Sequence, residues 1–103
     1  MNVTAFGNLN LAHGVLEFLK ELQVETICLC PGARNSPFVE LLSQSHGFEK
    51  LNFFDERAAG FFAIGRIQAT GKPAAVITTS GTAAGELLPA VMEAHYSALP
   101  LIV

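Results

Sequence analysis

The run AAVITT, Ala74 to Thr79, does not alternate apolar with polar residues. A strand with one wet face does alternate, whereas a strand covered on both faces reads as a continuous apolar, β-branched stretch. Such a strand needs helices above and below it, and the flanking sequence supplies them. Before it, Glu56 to about Thr70 has helical character with small residues at Ala58, Ala59, Gly60, Ala63 and Gly65, and Gly71 in TGKP closes it. After it, GTAAGELLPAVMEAHYS reads as a helix that Pro89 must kink or break.

The same alternation runs along the whole chain. Leu11, Val15, Phe18, Leu19 and Leu22 stand at helical spacing, so roughly Asn8 to Leu22 is predicted to be an amphipathic helix. TICLC is a short buried strand stopped by Pro31–Gly32, and a second helix starts near Pro37, carries Phe38, Leu41 and Leu42, and ends before Gly47. LNFF and LPLIV complete a set of strands separated by helices. This order predicts an α/β fold: a parallel sheet with helices on both faces.

Length allows one small domain of 103 residues. The chain is short of charge, at 15% of its residues against an ordinary share of about 25%, and so has little with which to cover its surface. We therefore expect the chain either to pack against something large or to be a piece of a longer protein, as the end of LPLIV inside an apolar run also suggests. A net charge of −3 without a basic stripe argues against nucleic acid. No apolar run approaches the ~20 residues that span a membrane, and MNVTAFGNLN lacks the pattern of a signal peptide. A cytoplasmic location is the expectation. Cys28 and Cys30 do not have C-x-x-C spacing; on a strand both point to one face, as buried thiols.

Ligands of parallel sheets collect at the carboxyl ends of the strands. Three loops fall on that rim. PGARNSP places Arg34 beside Asn35 and Ser36, either of which can cap the next helix. The Arg34 guanidinium suits a carboxylate or phosphate, or else a structural pairing with a neighbouring acid. SGTA, Ser80 to Ala83, brings a glycine and free N–H groups to a strand–helix corner. It is not a G-x-x-x-x-G-K-[ST] loop, and no G-x-G-x-x-G fingerprint exists. In FFDERAAGFF, Asp55 can cap a helix and Glu56 suits its first turn. A carboxylate among Phe53, Phe54, Phe61 and Phe62 would also be partly desolvated, which suits proton transfer.

Together, CPGARNSP, FFDERAAGFFAIGRIQATGKPAAVITTSGTAAGELLPAVMEA and their spacing resemble the N-terminal pyrimidine-binding domain of thiamine-diphosphate-dependent enzymes. Within that superfamily the chain is most similar to the 2-succinyl-5-enolpyruvyl-6-hydroxy-3-cyclohexene-1-carboxylate synthases of menaquinone biosynthesis. The narrower signal is PG-x-R, DER and SGTA together; nearly the whole chain, 1–103, would be a truncated pyrimidine-binding domain. The resemblance implies a transferase that decarboxylates 2-oxoglutarate and adds the succinyl-semialdehyde carbanion to isochorismate. It implies thiamine diphosphate and Mg2+ as cofactors, with the metal and diphosphate ligands in a domain this chain lacks. By motif, Glu56 is the glutamate that hydrogen-bonds N1′ of the aminopyrimidine, Arg34 binds a substrate carboxylate, and Ser80, Gly81 and Thr82 lie near the pyrimidine. It also implies a homo-oligomer, dimer or tetramer, with the active site between subunits, so the segment alone is expected to be inactive.

Ala33 stands where the family commonly has serine, and Asn35 replaces a frequent small hydroxyl residue. Two other readings remain at this stage. One is another carboligase or lyase of the superfamily, acetolactate-synthase-like, against which PGAR and SGTA argue. The other is a non-catalytic binding module of flavodoxin-like shape, in which Asp55 and Glu56 are ordinary helix-start residues.

Overall fold

The computed structural model describes residues 3–103. In chain order the elements are α1 (Val3–Glu21), β1 (Thr26–Leu29), a 3-10 turn (Ala33–Asn35), α2 (Ser36–Gln44), β2 (Glu49–Asn52), α3 (Glu56–Thr70), β3 (Ala74–Ile77), α4 (Thr82–Gly85), α5 (Leu88–Tyr96) and β4 (Leu101–Ile102). The strands form one sheet in the order β2-β1-β3-β4, and every pairing is parallel.

Successive residues of a strand face opposite layers, and the packing follows that rule. Ile27, Leu29 and Ala75 pack with Leu16 and Leu19 of α1 and Leu42 of α2. Cys28, Cys30, Ala74 and Val76 pack on the other face with Ala59, Ala63 and Ile67 of α3 and with Leu87. Both cysteines are free and buried, as expected. The small residues of α3 let α5 approach: a Cβ added at Gly60 would lie 2.7 Å from the Ala90 Cβ. α3 runs from an Asp55 cap, whose Oδ1 accepts from the Ala58 N–H, to Gly71, left-handed at φ 71°. The helical run breaks at Glu86 and Leu87 between α4 and α5, and Pro89 sits in the first turn of α5.

Several elements differ from their sequence expectations. α1 starts at Val3 rather than near Asn8 and buries Ala12, Leu16 and Leu19. Of the expected stripe only Leu19 is inside; Leu11, Val15, Phe18 and Leu22 are exposed. The helix is apolar around much of its circumference, so spacing alone offered two faces. The small Ala12 belongs to the one that meets the core. β2 lies two residues upstream of LNFF because its pairing is set by β1, from Thr26↔Glu49 to Leu29↔Asn52. As an edge strand it accommodates Glu49 and Lys50, and the Lys50 ammonium donates to the Leu42 and Ser45 carbonyls at the end of α2. β1, β3 and β4 are each shorter than the apolar run that contains them. Arg66 bonds Thr26 and Glu49 at the amino ends of β1 and β2, tying α3 to the sheet away from the ligand rim.

Candidate functional site

Because β1, β2 and β3 are parallel, the loops that follow them share one rim. The chain leaves β1 toward β2 on one side and enters β3 on the other, so the order reverses between β1 and β3. That reversal is where open α/β sheets hold ligands. The two loops meet there: a Cβ on Gly32 would collide with the Thr79 methyl group. Glycine suits the position twice over, since a side chain would have to displace Thr79 and would stand on backbone, at φ 158°, that residues with a Cβ rarely adopt.

Asp55 and Glu56 divide two tasks. Asp55 takes the cap, and the Glu56 carboxylate has no hydrogen bond or ion pair among the described residues. Glu56 is half-buried on the rim. Its surroundings are wetter than the sequence suggested, because Phe54 is 95% exposed and Phe61 and Phe62 remain substantially exposed. Phe53 and Phe62 pack with ring centroids 5.1 Å apart and ring planes tilted by 48°. Beside them a cavity of about 450 Å³ opens between the first two loops, walled by Cys30, Pro31, Gly32, Val39, Phe53 and Phe54. Burial pushes the Cys30 thiol up to about 11, and the negative charges of Glu56 and Asp55 push it the same way. The carboxylates thus lie within electrostatic reach of the end of β1.

Arg34 is exposed and, among the described residues, has no acid partner or hydrogen bond, so the structural pairing is not what holds it. It lines a cavity of about 680 Å³ with Ser36, Phe38 and residues of α1, including Asn8, Leu11 and Val15; Glu56 does not line that space. Ser80, Gly81 and Thr82 are exposed on the rim. Gly81 has φ 66° and ψ −128°, backbone that strains any residue with a Cβ. The helix it opens, α4, is only Thr82–Gly85, one turn, too short to present the N-terminal field read from the sequence.

The cap expected from Asn35 or Ser36 is absent. Asn35 turns inward, 3% exposed, and its Nδ2 donates to the Cys30 carbonyl at 2.6 Å, while Ser36 Oγ donates back to the Ala33 carbonyl. Sequence reasoning missed the inward role of Asn35 and the part of Thr79 as the wall against Gly32. An Asn before a helix reads as a cap, and only three-dimensional burial distinguishes the two uses.

No group of three His, Cys, Asp or Glu side chains among the described residues could hold a metal ion, and no described helix is long and apolar enough to cross a membrane. Residues 9–103 match the thiamine pyrophosphate enzyme N-terminal TPP-binding domain. The chain belongs to that family. It is 55% identical over 95 residues to a 2-succinyl-5-enolpyruvyl-6-hydroxy-3-cyclohexene-1-carboxylate synthase of Bdellovibrio bacteriovorus, covering 92% of this chain and 18% of that protein. Proteins of the same name match from a Synechococcus strain, 48% identical over 99% of this chain and 18% of the relative, and from Akkermansia muciniphila, 57% identical over 72% and 14%. The chain spans less than a fifth of the length of these curated relatives.

Proposed function

We propose that this chain is the pyrimidine-binding portion of a synthase that decarboxylates 2-oxoglutarate and adds the resulting succinyl-semialdehyde unit to isochorismate. The reading makes the whole protein a cytoplasmic, homo-oligomeric transferase of menaquinone biosynthesis. The observation that carries it is the uncommitted carboxylate of Glu56, half-buried on the reversal rim with its cap duty taken by Asp55. Family membership and the names of the relatives support the reaction class.

Thiamine diphosphate, held with Mg2+ by residues outside this segment, would supply the electron sink for decarboxylation. The residues here suit its pyrimidine end. A carboxylate without a competing donor is free to share a proton with a ring nitrogen, which we assign to Glu56. The exposed Phe54 and Phe61 offer apolar surface that would exclude water from that hydrogen bond once covered. Ser80, Gly81 and Thr82 present backbone and hydroxyl groups to the same rim. Arg34, a guanidinium with no partner in the chain, would bind a substrate carboxylate bidentately.

The test uses the full-length protein with thiamine diphosphate and Mg2+. Glu56→Gln keeps the shape of the side chain and removes its ability to take the proton. Release of CO2 from 2-oxoglutarate and product formation with isochorismate should both fall by at least about a hundredfold. Normal turnover in the variant would overturn the assignment of Glu56, and turnover with pyruvate in place of 2-oxoglutarate would point to another carboligase.

A further inference from the structure

We infer that Asn35 is the positioning residue for Arg34, a role that rests on the reading of Arg34 as the substrate-carboxylate group. The loop after β1 has its ends tied and its middle free. The Cys30 N–H donates to the Ile77 carbonyl at 2.9 Å, fastening the end of β1 to β3. The Cys30 carbonyl would be left without a donor where β1 stops, and the Asn35 amide supplies one. The Asn35 N–H in turn donates to the Gly32 carbonyl at 3.1 Å, and Gly32 abuts Thr79. Arg34 sits in the 3-10 turn between these anchors, exposed and without a partner. A long, flexible cation gains affinity when its backbone is fixed beforehand, because less order is lost on binding. The side chain of Asn35, buried on the far side of the turn, provides that fixation and makes no contact with substrate.

The donor, not the shape, is what the position needs. Leu is nearly isosteric with Asn but has no polar hydrogen to donate, so Asn35→Leu and Asn35→Ala should behave alike. In the full-length enzyme each should raise KM for the substrate whose KM rises in Arg34→Ala by on the order of tenfold, the value of one hydrogen bond, with kcat little changed. Substitution at Asn35 in an Arg34→Ala background should add nothing further to KM, because the group being positioned is gone. A second readout is independent of activity. Labelling of Cys30 by N-ethylmaleimide, followed by peptide mass mapping, should accelerate in Asn35→Ala and stay slow in Arg34→Ala.

An equal KM rise from Asn35→Ala in both backgrounds, or no rise at all, would overturn the positioning role while leaving Arg34 assigned. Wild-type KM values for both substrates in Arg34→Ala would overturn the reading of Arg34 itself, and the inference with it. An Asn35→Leu enzyme that matches wild type in KM and labelling would show that the amide donor is dispensable, again against the proposal.

Discussion

Replacing Gly60 by alanine sets two effects of opposite sign against each other, and the geometry decides between them. In an exposed helix the change would stabilise by about 1 kcal/mol, the difference in helix propensity. Here the new methyl group would stand 2.7 Å from the Ala90 Cβ and 3.5 Å from Leu87 Cδ2. Carbon atoms rest about 3.5–4.0 Å apart, so α3 and α5 must separate by about 1 Å. Leu87 can swing its methyl away. Ala90, fully buried, has no rotamer to change. Overpacking of this kind costs about 1–3 kcal/mol, and after the propensity gain Gly60→Ala should destabilise by about 1 kcal/mol. Ala90→Gly alone loses about 1 kcal/mol of propensity and about 0.8 kcal/mol of buried methyl. In the double variant the propensity terms cancel and the collision disappears, so it should be more stable than the sum of the singles by about 2 kcal/mol. Urea unfolding followed by far-UV circular dichroism measures all four corners of the cycle. Additive singles, or a Gly60→Ala chain that is stabilised by about 1 kcal/mol, would refute the close contact between α3 and α5.

Other positions yield shorter tests. Gly32→Ala should destabilise by about 1–3 kcal/mol through its collision with Thr79, and Thr79→Ser, which removes the colliding methyl group, should recover only part of the loss in the same unfolding assay, since φ 158° at Gly32 strains any side chain. Asp55→Ala removes the acceptor of the Ala58 N–H and should cost about 1 kcal/mol; an unchanged unfolding midpoint would show that the cap is idle. Ala98 holds φ 53° at the end of α5, where Leu99 N–H donates to the Ala94 carbonyl, so Ala98→Gly should stabilise by about 0.5–1 kcal/mol in thermal unfolding. Burial pushes the thiols of Cys28 and Cys30 up to about 12 and about 11. The fold therefore keeps both protons after the unfolded chain has begun to release them, and the stability this contributes, complete below about pH 9, drains away as pH rises toward those values at up to about 1.4 kcal/mol per pH unit per thiol. Cys28→Ala should lose stability less steeply than wild type above pH 9; identical slopes would refute the burial argument.

The parts of the fold that sequence made legible are those set by local chemistry. Asp55 and Gly71 bracket α3 at its observed ends because a cap acceptor and a left-handed residue act on their own neighbours. Pro89 sits in the first turn of the last helix for the same reason. The boundaries that moved were set at long range. β2 slid toward Glu49 because a partner strand, not its own phenylalanines, fixes where pairing begins. α1 turned Leu16 inward and Phe18 outward because the choice between two apolar stripes depends on what the sheet and α2 present to it. The site shows the same division. The rim could be read from the alternation of strands and helices, and so could the positions of Glu56, Arg34 and the Ser80–Thr82 corner in the loops along it. The Asn35–Cys30 hydrogen bond and the Gly32–Thr79 contact could not, since each joins groups whose proximity exists only after the sheet forms.

The adjacency of Asp55 and Glu56 explains why two acids stand where one would start a helix. A lone acid there has two competing uses. Its oxygens can accept from the helix N–H groups, or they can remain open to a ligand, and the first removes a lone pair from the second. Asp55 has the shorter side chain and extended backbone, φ −102° and ψ 116°, so its Oδ1 reaches the Ala58 N–H at 3.1 Å. Glu56 is already within the helix, and the first-turn amide that needs an acceptor has found one in its neighbour. The cap thus frees the glutamate at the expense of the aspartate. Exchanging the two acids, by the double substitution Asp55→Glu and Glu56→Asp, would put the longer side chain at the cap position and the shorter one in the turn. The helix should lose about 1 kcal/mol of cap energy, and the rim should lose the carboxylate reach that the proposed reaction needs. If the exchanged full-length enzyme kept both its stability and its decarboxylation rate, the separation of capping from chemistry would be wrong.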